Sequence, residues 1–150
     1  MGCSLIVCEP TGRWAAAISR LLPKTSAVCQ TRTFEDCRTE LLAAPHSVVA
    51  VAVSVGNLLR ALHYLSSCER EFPGAVSVAL AERGASRYGS LLREAGAVHV
   101  VASIRELQSV ADITLKQSAR FPMPHTATQQ MWAELPWADA AAASAGGWQT

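Results

Sequence analysis

The chain has 150 residues, half of them hydrophobic, and a formal net charge of +1. That is enough apolar material for the core of one domain, and the near-neutral balance supplies no broad field for nucleic acid or an anionic membrane surface. No apolar run reaches the roughly 18 to 20 residues of a spanning helix, so no membrane partner is expected.

Five short apolar runs alternate with five helix-like stretches, the pattern of repeated βα units around a parallel sheet. Ser4 to Cys8 is the first strand. A turn at "EPTG" follows, with Thr11 expected to cap a helix that carries Trp14, Ile18, Leu21 and Leu22 on one face until Pro23 stops it. "SAVCQT" is a second strand, polar enough for an edge position. Thr33 and Asp36 resemble a capping box, and Phe34, Cys37 and Leu41 recur at helical spacing after them.

The third strand, Val48 to Val53, is apolar at every position and needs cover on both faces, which places it centrally. The third helix spans about 57–71, with Leu58, Ala61, Leu62, Leu65 and Cys68 inward and His63 in solvent. "AVSVALA" is the fourth strand, and the fourth helix puts Tyr88, Leu91 and Leu92 toward the core. "GAVHVV" is the fifth strand. Ser103 and Glu106 form a full capping box, and Ile104, Leu107, Ala111 and Leu115 make one stripe on the last helix.

The domain is therefore expected over 1–120, with 121–150 as an appended tail carrying Trp132, Leu135 and Trp137. Those side chains are too apolar for an indifferent linker and are expected to dock, on their own domain or on a partner. The tail has no basic cluster, so no nucleic-acid-binding module follows the core.

Five cysteines, Cys3, Cys8, Cys29, Cys37 and Cys68, include no Cys-x-x-Cys pair and read as reduced thiols used as small core residues. His46, His63, His99 and His125 are too scattered for a zinc site, and neither metal nor other cofactor is expected. The opening "MGCSLIVC" shows no secretory signal, and Ile6 stands where a myristoylation signal carries Ser or Thr. The expected location is the cytoplasm.

The five βα units, the polar second strand and the block "LLREAGAVHVVASIREL" resemble a response-regulator receiver domain, over about 4–119. The resemblance implies an α/β fold: a doubly wound five-stranded parallel sheet in the flavodoxin-like order 2-1-3-4-5, with helices on both faces. Gly96 suits the turn between the fourth helix and the fifth strand, which needs a left-handed residue.

The family's chemistry also rests on residues at the carboxyl ends of its strands. Two acids hold magnesium, an Asp accepts phosphate, and a Ser or Thr and a Lys complete the site. Carried onto this chain, the acidic pair falls on Cys8 and Glu9, and the phosphoacceptor on Val53 or Ser54. The Ser or Thr falls on Ala81, the Lys and the Pro after it on Ser103 and Ile104, and the switching aromatic on Val100. The resemblance thus implies a degenerate pseudo-receiver without catalytic residues, acting as a protein-interaction module. Ser54 has no neighbouring base that would make it a nucleophile, and Glu9 is expected to be solvated.

An alternative is a sensor of small anions, nucleotides or phosphometabolites at the carboxyl edge of the sheet. Its crevice would gather Glu9, Thr11, Gly12, Arg13, Ser54, Gly56, Asn57 and Arg83. No G-x-G-x-x-G or P-loop supports it. In the family, helix four, strand five and helix five often pair two copies. Here that face would carry Arg87, Arg93, His99 and Arg105 beside Glu94, Glu106 and Asp112, so a homodimer is one expectation. Trp132 and Trp137 are the other candidate contacts. The identity of any protein partner is unknown from the sequence.

Overall fold

A computed structural model describes residues 3–122. Five strands, β1 (Leu5–Cys8), β2 (Val28–Thr31), β3 (Val48–Val53), β4 (Val76–Ala81) and β5 (Ala97–Val101), form one parallel sheet in the order β2-β1-β3-β4-β5. Helices α1 (Arg13–Ser19), α2 (Phe34–Ala43), α3 (Leu58–Glu71) and α4 (Gly89–Ala95) connect them, and α5 (Leu107–Arg120) follows β5. The expected α/β architecture and strand order are the observed ones.

β3 shows why its sequence is unbroken. Val49, Val51 and Val53 belong to the core under α2, α3 and α4, while Val48, Ala50 and Ala52 belong to the core under α1 and α5. All six side chains are buried. Burial of a Val side chain contributes roughly 1.5–3 kcal/mol, and water reaches neither face of this strand. β2, with two half-buried residues and one exposed, is an edge.

Local signals set the element ends. Thr33 caps α2 by accepting the Asp36 N–H at 3.0 Å. Ser103 and Glu106 form the expected capping box, on a single 3-10 turn (Ile104–Glu106) that leads into α5. Gly96 has φ 131°, and a Cβ there would press on the Leu65 carbonyl oxygen of α3. The glycine therefore serves both the turn and the close packing of α3 on it.

Several expected core positions differ. Leu21, Leu91, Ile104 and Leu115 are exposed. α1 ends at Ser19, before the turn that would have aligned Leu21 with Ile18. In α4, Leu92 alone is buried. The buried stripe of α5 is Leu107, Val110, Ala111, Thr114 and Gln117, because Thr114 returns its hydroxyl to the Val110 carbonyl and Gln117 reaches loop carbonyls. Polar side chains thus entered the core by satisfying themselves, which apolar periodicity does not register.

The cysteines correct a second expectation. Cys3 and Cys29 are joined in a disulfide with Cα atoms 6.0 Å apart, tying the chain before β1 to β2. Cys8, Cys37 and Cys68 are free and buried, as expected of small core residues. β1 and β2 pair Ile6 with Cys29, which brings Cys3 alongside, a proximity that spacing along the chain does not reveal.

Candidate functional site: a cleft at the carboxyl edge of the sheet

β1 and β3 lie side by side, and their carboxyl ends open into a cleft of about 530 Å³. Cys8, Glu9 and Pro10 supply one wall, Arg32, Thr33 and Phe34 another, and Ser54, Gly56, Asn57 and Arg60 the third, with Ala52 below. Of the residues expected here, Glu9, Ser54, Gly56 and Asn57 line the cleft. Thr11, Gly12, Arg13 and Arg83 do not. Arg13 lies over the Trp14 ring at 5.8 Å, and Arg83 is exposed in the loop after β4. Arg32, directly after β2, and Arg60, in the first turn of α3, also line the cleft and are not among the residues that the sequence points to.

Glu9 is not solvated: it is 1 % exposed. Its Oε1 accepts the Trp14 N–H at 2.9 Å and the Thr11 hydroxyl at 3.3 Å, and its Oε2 accepts the Ala15 N–H at 2.6 Å. Glu9 is therefore the cap of α1, the role expected of Thr11, whose oxygen receives only a long bond from Arg13 N–H at 3.4 Å. Gly12, at φ 83°, makes the turn that folds the helix start back over the carboxylate. Charge-assisted bonds of this kind satisfy N–H groups that a helix leaves open, and the carboxylate also neutralises the positive end of the helix. Both carboxylate oxygens of Glu9 are thus committed to the start of α1.

Ser54 and Asn57 are committed as well. The Ser54 N–H donates to Asn57 Oδ1 at 2.7 Å, the Asn57 amide donates to the Ala52 carbonyl at 3.1 Å, and the Ser54 side chain accepts from the Asn57 backbone. This reciprocal box closes the 3-10 turn Val55–Asn57 at the end of β3. The sequence signal was Ser followed three residues later by Asn, in place of the usual Glu or Gln.

The remaining positions onto which the resemblance carried the receiver site are placed as follows. Val53 and Ala81 are fully buried, Ser103 caps the last helical turn, and Val100 is half-buried against the α4 side of the core. Among the described residues, the one cluster of metal-ligating types with donor atoms within 4.8 Å of one another is Cys3, Cys29 and Glu40. It does not line the cleft, and its two sulfurs are joined to each other.

Cys8 shares the core under α2 and α3 with Cys37, Tyr64 and Cys68. The bond from Cys37 to the Cys8 sulfur holds the Cys8 thiol below its ordinary value and pushes Cys37 far above. Burial, first of all, pushes Tyr64 and Cys68 up. Cys8 is only 4 % exposed, so its sulfur forms floor and not reagent.

The second candidate surface is elsewhere. Arg87 donates to the Tyr88 hydroxyl at 2.9 Å and covers its ring, Arg93 and Arg105 are exposed, and His99 is half-buried. Leu91 and Val98, 45 % and 61 % exposed, lie on the same pair of elements, α4 and β5. Trp132 and Trp137 lie outside the described residues.

Comparison with known proteins agrees with this geometry at the level of fold. No family model matches, and neither does any curated protein. Solved structures do. A response regulator from Thermotoga maritima superposes with a TM-score of 0.62 at 18 % identity, over 79 % of this chain and 99 % of that one. A CheY-like protein (tadZ) from Pseudomonas aeruginosa PAO1 gives 0.65 at 13 % identity, over 82 % and 98 %. An orphan response regulator of H. pylori gives 0.57 at 18 %, over 75 % and 93 %. Strand order, helix placement and these superpositions agree: the chain has the fold of the CheY-like receiver domains.

Proposed function

We propose that this chain is a phosphorylation-independent pseudo-receiver, a non-catalytic cytoplasmic module that signals by binding another protein. The observation that carries the reading is Glu9. It is the single acid at the positions of the receiver site, and its two carboxylate oxygens are held by the N–H groups of Trp14 and Ala15. Receiver chemistry needs carboxylates free to hold a metal and to attack a phosphoryl group. No helix among the described residues is long and apolar enough to cross a membrane. In a reducing cytoplasm the Cys3–Cys29 pair would stand open or close only transiently.

The binding surface in this proposal is the face of α4, β5 and α5, where β5 is a sheet edge and Leu91 and Val98 stand exposed among Arg87, Arg93 and Arg105. A second copy is the first partner to test. Light scattering at high micromolar concentration should give a dimer that Val98→Asp separates; a monomer under those conditions would rule out the homodimer.

One observation favours a second reading, an anion or nucleotide sensor. Arg32 and Arg60 both line the cleft, and the single ion pair among the described residues, Arg38 with Glu71, involves neither. A ligand that binds only the native state raises the melting temperature. A phosphometabolite or nucleotide panel that stabilises the native chain, but not the Arg32→Ala, Arg60→Ala double variant, would favour the sensor. A flat panel would remove it.

A further inference from the structure

We infer that the groove between α2 and α3 is the seat of the chain's own tryptophan-bearing segment, residues 123–150. Two cavities of about 340 and 180 Å³ run along this groove and share Phe34, Tyr64 and Ser67. The Phe34 and Tyr64 rings stack with centroids 4.7 Å apart and form its floor. Leu59, 81 % exposed, borders the upper cavity, and Phe72 closes the lower one. An aromatic floor with an exposed leucine at its rim suits an apolar side chain from elsewhere better than it suits water.

The path of the chain points to the occupant. Gln117, near the end of α5, donates to the carbonyls of His46 and Gly74 at 2.9 Å each, and Phe121 stacks on His46 at 4.1 Å. His46 lies just beyond α2, and Gly74 packs so closely on its ring that no Cβ would fit. Gly74 is two residues past Phe72, at the lower end of the groove. The tail therefore departs beside that end. From Phe72 to Leu59 is roughly 20 Å of helix, while the ten residues from Pro122 to Trp132 span up to about 33 Å when extended.

Charge agrees with this seating. Residues 123–150 contain Glu134 and Asp139 and no Lys or Arg, with Trp132, Leu135 and Trp137 between and around them. The upper groove presents Arg60 and His63, whereas Arg38 lower down is already paired with Glu71 at 2.9 Å. Because Phe34 and Arg60 also line the cleft, a seated segment would border it.

The test is fluorine NMR of the full chain labelled with 5-fluorotryptophan, with resonances assigned through Trp132→Phe, Trp137→Phe and Trp148→Phe. At least one of Trp132 and Trp137 should resonate away from its urea-unfolded position, and Leu59→Glu should return it there while core Trp14 stays fixed. Should Trp14 move, reporting a fold defect, Arg60→Glu at an exposed position repeats the test. Trp132 and Trp137 both at their unfolded positions in the native chain, or displaced but indifferent to the groove variants, would overturn the inference. So would displacement that grows with protein concentration, which would seat a second copy's segment there instead.

Discussion

The carboxylate of Glu9 and the backbone N–H of Trp14 are 2.9 Å apart in a buried hydrogen bond, so this carboxylate faces the start of its own helix. Glu9→Ala would leave the N–H groups of Trp14 and Ala15 without their acceptor. The expected loss is about 2–3 kcal/mol, the scale of a charged cap whose donors are buried. Urea denaturation measures it, and an unchanged midpoint would mean that Glu9 is not the cap.

Asn57 makes the corresponding closure at the end of β3. Asn57→Ala removes its bonds to the Ser54 N–H and the Ala52 carbonyl, at an expected cost of about 1–2 kcal/mol. Asn57→Asp keeps the acceptor but not the donor and should lose less. Equal losses for the two variants, measured by the same denaturation, would assign the whole effect to the bond with Ala52.

Tyr64 yields a prediction of opposite sign. Its hydroxyl is buried with no hydrogen-bond partner. Tyr64→Phe keeps the stack on Phe34 and removes that oxygen, so stability should be unchanged or raised by up to about 1 kcal/mol. A loss larger than about 1 kcal/mol would show that neighbouring thiols bond the hydroxyl in solution.

Alkali should destabilise the fold. Cys37, Cys68 and Tyr64 are held above their ordinary values of 9.0, 9.0 and 10.0, so the unfolded chain releases these protons first as pH rises. The unfolded state then binds fewer protons than the folded state, and stability falls with pH. Cys8 is lowered and acts in the opposite sense, contributing stability that is kept at high pH and lost as pH falls through its folded value. Three groups outweigh one. Melting temperatures should decline from about pH 9 upward, less steeply in Tyr64→Phe; a flat profile would contradict this.

The fold was legible because its signals are local and redundant. The all-apolar run of β3, the polar β2, Gly96 and the Ser103–Glu106 box each pointed to the same architecture. The site was half legible. That Glu9, Ser54, Gly56 and Asn57 gather at the carboxyl edge can be read from the strand ends, but what Glu9 does cannot, because it reaches past the Thr11 of the capping pattern to the N–H groups of Trp14 and Ala15, five and six residues ahead. Arg32 and Arg60 meet Glu9 only through the parallel crossovers, and Cys3 meets Cys29 only through strand register. Such contacts are set by topology and leave no trace in spacing.

The proposed function requires that the cleft at the carboxyl edge of the sheet support no phosphoryl transfer. Incubating the native chain with acetyl phosphate and magnesium, followed by intact-mass spectrometry, tests it most directly. An unmodified mass is expected at every time point. A stoichiometric phosphoryl adduct that forms on Glu9 or Ser54 and requires magnesium would contradict it.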